Sequence, residues 1–279
     1  MSVKVKAYAK INWFLNIQGV LENGYHEMDM LMQPISLCDN LEFSPDTDLS
    51  LTVDGVPAGE DNLVLKAARA LKAHAHAENL GARISLNKHI PARAGLGGGS
   101  ADCAETLKTL NQIWNLHYPM ETLLQIGERL GADVPFCLIG GLSRVGGFGE
   151  RVTPYPRAPK CALVLITPGG GLSTPAVFRE WDTCPSALND SNRIQALADA
   201  LNRGEFRLAE ELSFNALEAP AIRLLPEIGE WIQKFRACGS EYVRMSGSGS
   251  TVFAVFDSLT RAKAVAEQCP QAIVAETVD

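Results

Sequence analysis

Residues 91–102 read Pro-Ala-Arg-Ala-Gly-Leu-Gly-Gly-Gly-Ser-Ala-Asp, and four glycines and a serine stand directly before an amphipathic segment. Glycine lets a backbone turn sharply and approach a bulky anion. From Ala101 the apolar residues Ala104, Leu107, Leu110 and Trp114 follow the helical period. A helix starting there has unpaired N–H groups and a positive dipole end aimed at the loop. Loop and helix together predict a phosphate cradle and hence a nucleotide-dependent enzyme. The same run also fits a turn that merely lets a helix pack on a strand.

Known phosphate loops narrow the choice by failing to match. No lysine follows the glycines, as G-x-x-x-x-G-K-[ST] requires. Counting G-x-G-x-x-G from Gly95 puts Ser100 at the last glycine. A protein-kinase glycine loop lies between two strands, whereas this one opens a helix.

Three further segments carry polar groups in unusual settings. Lys10 and Asn12 interrupt an apolar strand pattern in Ala9-Lys10-Ile11-Asn12. Asp133 stands after a glycine helix stop and before Pro135 in Gly131-Ala132-Asp133-Val134-Pro135-Phe136, a rigid turn from which a carboxylate can orient or accept a proton. Ser246-Gly247-Ser248-Gly249-Ser250 joins two strand patterns, with a backbone pliant enough to lie against a ligand near the first loop. Each also has an ordinary structural reading: a surface lysine, a turn aspartate, a hairpin turn.

The elements that must position these groups follow from pattern. Strands are predicted over 3–9, 11–17, 28–36, 39–43, 49–53, 82–87 and 137–145. Helices are predicted from an Asp61 N-cap to 76, from 101 onward, and over 121–130. Residues 151–160 hold three prolines and suggest a domain boundary. Beyond it come a strand at 161–166 and helices at 174–181, 191–201, 205–217 and 221–236. Strands at 241–245 and 251–256, a helix at 260–268 and a strand at 272–277 complete a β-α-β-β-α-β plan of ferredoxin-like type.

The 279 residues suit one large or two small domains, with 46% hydrophobic and 20% charged residues. A net charge of −7 argues against nucleic acid or a membrane surface as partner. No apolar run is long enough for a bilayer, and the first residues alternate like a strand rather than a signal peptide. A cytoplasmic protein is expected. The seven cysteines are scattered, without metal spacing, and are expected to be reduced and mostly buried.

Taken in order, these segments resemble the GHMP kinases (galactose, homoserine, mevalonate and phosphomevalonate kinases and relatives). The matching pieces are residues 9–12, Asn23-Gly24-Tyr25-His26, residues 95–102, 131–136, Thr174-Pro175-Ala176-Val177-Phe178, Asn215-Ala216-Leu217-Glu218 and 245–251, which span nearly the whole chain. The N-G-Y-H and G-A-D-V-P-F pieces point to the branch whose acceptor is a cytidine diphosphate-linked methylerythritol.

The resemblance implies an α+β, two-domain fold, with an N-terminal β/α ATP-binding domain over 1–155 and a C-terminal ferredoxin-like domain over 156–279. The acceptor is expected in the cleft between them. It implies ATP with Mg²⁺, the nucleotide lying on Pro91, Ala94, Gly95, Leu96, Gly97, Gly98, Gly99, Ser100 and Ala101, with Ser100 the candidate beside the metal. Asp133 matches the family's catalytic aspartate and Lys10 the lysine that keeps it ionised. Tyr25 and Phe178 match an aromatic pair that sandwiches cytosine, His26 matches the residue that hydrogen-bonds it, and Asn12 matches an acceptor contact. A monomer or homodimer with a small-molecule substrate is expected. Arg93 stands where relatives usually carry a small or apolar residue.

Overall fold

The computed structural model describes residues 2–22, 24–77, 79–190 and 192–279. Asn23 of the N-G-Y-H piece and Ser191 at the start of a predicted helix therefore lie outside the described residues.

Strands β1 (Val3–Val20), β2 (His26–Asp46), β3 (Leu49–Val53) and β4 (Val56–Pro57) precede helix α1 (Leu63–His74). Strand β5 (Gly81–Asn87) leads to α2 (Gly98–Ile113), α3 (Met120–Gly127) and α4 (Val134–Ile139), then β6 (Ser143–Gly147) and β7 (Arg151–Pro154). The remainder holds β8 (Ala162–Ile166), α5 (Thr174–Thr183), α6 (Arg193–Asn202), α7 (Phe206–Leu212), α8 (Glu218–Leu224) and α9 (Glu227–Ala237). It closes with β9 (Tyr242–Met245), β10 (Val252–Phe256), α10 (Leu259–Ala266) and β11 (Ile273–Glu276).

Packing divides the chain into two compact units. The first contains the chain up to Ala9, Leu37–Ile90 and Gly97–Ile139; the second contains Lys10–Ser36, Pro91–Leu96 and Gly140–Asp279. In the first, β5 pairs antiparallel with the C-terminal part of β2 and parallel with β3. Helices α1 and α2 cover these strands. Val64, Ala67, Ala68 and Leu71 of α1 join Ala104, Leu107 and Leu110 of α2 and Phe43, Ile84 and Leu86 of the sheet in one core.

In the second unit, β8 to β11 form a sheet in the order β11-β8-β10-β9, with all three pairings antiparallel. This is the ferredoxin-like arrangement that the β-α-β-β-α-β pattern predicts. Every residue of β8 and β10 is buried, which explains their unbroken apolar runs. Trp13 packs edge-on against Tyr242 and Phe253, at centroid distances of 5.0 and 5.5 Å, and the Tyr242 hydroxyl donates to the Trp13 carbonyl at 2.7 Å. Strand β1 is thereby fixed one residue beyond Asn12. Strand alternation places Lys10 and Asn12 on the opposite face from Ile11 and Trp13.

The structure corrects several boundaries. The strands predicted at 3–9 and 11–17 are one strand, as are those at 28–36 and 39–43. The strand expected over 137–145 is helix α4 followed by β6. Pro135 sits in the first turn of α4, where its missing N–H removes no helical bond, and Gly140 and Gly141 at φ 75° and 63° end it. The cap of α1 is Asn62, whose Oδ1 accepts from Val64 N at 2.9 Å, rather than Asp61.

The helix predicted over 205–217 stops at Leu212 because the next residues pair with β1, Leu15 N donating to Phe214 O and Ala216 N to Leu15 O. That predicted over 221–236 divides at Leu225, which Pro226 holds in extended backbone. The segment at 151–160 begins with β7, paired to β6. Among the described residues no disulfide joins the seven cysteines, but only Cys103 and Cys269 are buried.

Truncating the centre of the Trp13 cluster tests this packing. Phe253→Ala should lower unfolding free energy by about 3–5 kcal/mol, read from urea denaturation. A loss below about 1 kcal/mol would show that the cluster does not anchor β1.

Candidate active site

Helix α2 begins earlier than the sequence pattern indicates, at Gly98, with Gly97 as its cap at φ 69°. The N–H groups of Gly98, Gly99 and Ser100 have no partner within the helix, whereas Ala101 N already donates to Gly97 O at 2.9 Å. The first turn is therefore a set of outward-pointing donors at the positive end of a four-turn helix. The Ala101 side chain is buried in the apolar face, so that residue can meet a ligand only through its backbone. Ser100 Oγ lies 3.7 Å from where a Cβ on Gly131 would stand, so the turn before Asp133 passes close to the start of α2. Asp133 is half-buried and its carbonyl caps α4 by accepting from Cys137 N at 3.0 Å.

Residues 88–90, just before the loop, are locked from below. Buried Asp39 accepts from the backbone N–H groups of His89 and Ile90 at 2.5 and 2.9 Å and pairs with the Lys88 ammonium. Lys88 Nζ also reaches Asp102 Oδ2, in the first turns of α2, at 2.7 Å. One cation thus faces two carboxylates. Asp102 is 3% exposed, and its buried Oδ1 has no hydrogen-bond partner among the described residues. Burial works against the Lys88 ammonium, yet the two carboxylates outweigh it and hold its pKa above the usual value. Burial pushes the Asp102 carboxyl up to about 7; Lys88 opposes that rise and Asp39 adds to it.

In the second unit the entry half of the loop meets the second glycine run. Gly95 has φ 74°, and a Cβ there would overlap the Ser246 carbonyl oxygen. Ser246 Oγ donates to Gly95 O at 2.9 Å and accepts from Asn12 N at 3.3 Å. Lys10 Nζ donates to Asn12 Oδ1 at 2.7 Å, and Lys10 N donates to Leu96 O at 2.9 Å. Lys10, Asn12, Gly95, Leu96 and Ser246 therefore come together, although the lysine, at 5% exposure, is no surface residue.

The run 246–250 is pinned rather than pliant. Asn215 Nδ2 donates to Met245 O and Gly247 O at 2.9 Å each. Ser248 Oγ lies 2.8 Å from Thr174 Oγ1, and Ser250 Oγ donates to Pro168 O at 2.6 Å. Buried Ala94 accepts from Thr251 N at 3.2 Å through its carbonyl. Half-buried Pro91 and exposed Arg93 lie upstream, where a Cβ on Gly171 would press against the carbonyl oxygens of Ala92 and Arg93. That close approach accounts for the glycine at 171, whereas a Cβ on Gly169 would meet the Leu225 side chain.

Of the aromatic set, the structure brings His26 and Phe178 together, with centroids 4.6 Å apart and planes at 38°. Tyr25, 59% exposed, packs on Phe148 instead, at 5.4 Å. Trp181 meets the His26 ring edge-on at 5.4 Å, and Asp182 Oδ1 lies 2.8 Å from His26 Nε2. The sequence reading gave no role to Phe148, Asp39, Lys88, Asp102 or Asp182. Asp182 had a usable signal, since it stands four residues after Phe178 and so on the same helix face.

Family models describing the GHMP kinase N-terminal domain and the GHMP kinase C-terminal domain match residues 62–141 and 193–275. The chain belongs to the GHMP kinases. It is 40% identical to the 4-diphosphocytidyl-2-C-methyl-D-erythritol kinase of Pelotomaculum thermopropionicum, over 95% of this chain and 93% of that one. It is 41% identical to the enzyme of that name from Paramagnetospirillum magneticum, over 96% and 93%. A solved structure of 4-(cytidine 5'-diphospho)-2C-methyl-D-erythritol kinase superposes with a TM-score of 0.83 at 34% identity, covering 99% of this chain and 100% of that one. The mevalonate kinase of L. major, at 17% identity and a TM-score of 0.75 over 99% and 95%, shares the GHMP kinase fold.

Two measurements probe this arrangement. Gly95→Ala should weaken ATP binding at least tenfold in calorimetry, because its methyl group displaces the Ser246 backbone. Gly99→Ala meets only the tip of Leu63, at 3.3 Å, and should change affinity less than threefold. Equal effects would refute the close-approach argument.

The second concerns pH. A carboxyl whose pKa is higher folded than unfolded contributes stability present below about pH 4 and lost as pH rises through about 7. Asp102→Asn should therefore gain on the parent protein between pH 5 and 8 in urea denaturation. A constant difference across that range would contradict the assignment.

Proposed function

We propose that this chain is a 4-diphosphocytidyl-2-C-methyl-D-erythritol kinase, transferring the γ-phosphoryl group of ATP to the acceptor's 2-hydroxyl in the non-mevalonate route to isoprenoid precursors. The observation that carries this reading is similarity, over nearly the whole chain, to GHMP kinases bearing that name. The aromatic shelf of His26 and Phe178 supports a planar base in the acceptor. The family models fall inside 1–155 and 156–279, which supports those ranges as the N- and C-terminal domains.

Phosphoryl transfer demands alignment and charge neutralisation more than covalent chemistry from the protein. The N–H groups of Gly98, Gly99 and Ser100, which have no partner within the helix, bind phosphate oxygens, and Gly95 to Gly97 let the backbone come close. Asp133 orients the 2-hydroxyl and accepts its proton as the oxygen bonds to γ-phosphorus. The bond from that phosphorus to the β–γ bridging oxygen breaks, and ADP leaves. Lys10, already in place through Asn12, stabilises charge on the transferred group. Tyr25 and Phe178 hold the cytosine faces, His26 meets its edge, and Asn12 contacts the acceptor.

Among the described residues no three His, Cys, Asp or Glu side chains group to hold a metal. That donor set fits Mg²⁺, which takes most of its ligands from phosphate and water, and the Ser100 hydroxyl is the protein ligand we assign. When bound, Mg²⁺ neutralises charge on the β- and γ-phosphates.

Among the described residues no helix is long and apolar enough to cross a membrane. The net charge of −7 speaks against nucleic acid as a partner, and the reading is of a cytoplasmic enzyme, monomeric or homodimeric, acting on a small molecule.

ADP release with ATP and Mg²⁺ tests the reading, with the cytidyl acceptor set beside mevalonate and homoserine. Turnover of the cytidyl compound alone is expected; turnover of another acceptor alone would overturn the proposal. Asp133→Ala should lower kcat at least a hundredfold while leaving ATP affinity within about threefold. Undiminished kcat would remove Asp133 from the mechanism.

A further inference from the structure

The His26 ring is held on three sides. Phe178 covers one face, the Trp181 indole stands against it edge-on, and Asp182 Oδ1 sits 2.8 Å from Nε2. All three partners lie in α5, at its helix positions 178, 181 and 182. The side chain keeps only 16% exposure. Among the described residues no hydrogen bond reaches Nδ1.

A carboxylate accepts hydrogen bonds and donates none. The contact with Asp182 therefore requires the proton of the neutral imidazole to be on Nε2. The other ring nitrogen then carries a lone pair and acts only as an acceptor. We infer that Asp182 is a positioning residue that fixes this tautomer, so that His26 Nδ1 presents a bare acceptor and selects a base with an exocyclic amine over one with a carbonyl at the same place. The inference rests on the proposed acceptor and deepens it to the choice between cytosine and uracil.

Cytosine offers the N4 amine as a donor, whereas uracil puts the O4 acceptor there. Against a fixed acceptor, the amine gains a hydrogen bond and the carbonyl meets lone-pair repulsion. A ring free to exchange tautomers would protonate Nδ1 instead and accommodate either base. Buried polar sites discriminate strongly only when their donors and acceptors cannot rearrange. The ring stack with Phe178 and Trp181 blocks rotation, and Asp182 blocks proton migration.

The test compares kcat/KM for the cytidine and uridine diphosphate forms of the methylerythritol acceptor, in the parent protein and in Asp182→Ala. The parent should strongly prefer the cytidyl form, and the variant should lose about tenfold of that ratio. An equal fall for both substrates, leaving the ratio unchanged, would reduce Asp182 to a structural contact and overturn the inference.

The ¹⁵N shifts of the two His26 ring nitrogens give a readout independent of turnover. The parent should show a protonated Nε2 and an unprotonated Nδ1, and the variant a mixture. A protonated Nδ1 in the parent would overturn the tautomer assignment. Conversion of neither compound by the parent would overturn the acceptor reading itself, which is distinct from a parent that converts the cytidyl form and a variant whose preference is unaltered.

Discussion

Backbone meets backbone at Gly95 and Ser246, and the arrangement around the loop depends on that approach. A single methyl group would prevent it. Because nothing intervenes, Ser246 Oγ can bond both the Gly95 carbonyl and the Asn12 N–H, so one hydroxyl ties the first glycine run to β1. Lys10 inherits its place from that tie, since its backbone bonds Leu96 and its ammonium bonds Asn12. The hydrogen bonds are individually modest. Their effect comes from converging on a stretch of chain that has no side-chain bulk to disorder it.

The other end of the loop is secured by different physics. There a half-buried ammonium lies between two buried carboxylates, and burial makes one carboxyl hold its proton near neutrality. Asp39 has the Lys88 ammonium and two backbone N–H donors, whereas Asp102 has one oxygen without a partner among the described residues. Asp102 is accordingly the group that yields. Such a cluster adds little net stability, because desolvation offsets most of the attraction. What it supplies is registry, since it fixes strand β2, which carries Asp39, residues 88–90 leading into the loop, and helix α2 relative to one another.

The glycine loop was legible because its requirement is local: positive φ and an exposed helix start are properties of adjacent residues. The four-stranded plan of the second half was legible for a similar reason, since β8 and β10 are buried on all sides and read as apolar runs. An apolar run misled at residues 137–145, where a short helix and a strand carry the same pattern. Helix α7 ended early because residues 213–217 found partners on β1, which no propensity reveals. The Lys88–Asp39 pair joins residues 49 apart and the His26–Asp182 pair residues 156 apart. Single-sequence pattern carries no trace of the first, and of the second only that Asp182 shares a helix face with Phe178. The placement of Tyr25 on Phe148 was equally invisible, because an exposed turn tyrosine has no periodicity to read.

The close packing of glycine against backbone has a consequence for how this protein can change over generations. At Gly95 and Gly171 a side chain would strike carbonyl oxygen, and at Gly249 it would strike the Met245 thioether. Inheritance can vary little there without dismantling the loop. Helix α5 stands under no such restriction. Phe178 and Asp182 project from an ordinary helix face, where one side chain replaces another without moving the main chain. Innovation in the choice of acceptor therefore has a free surface to work on, while the phosphate-handling backbone stays frozen.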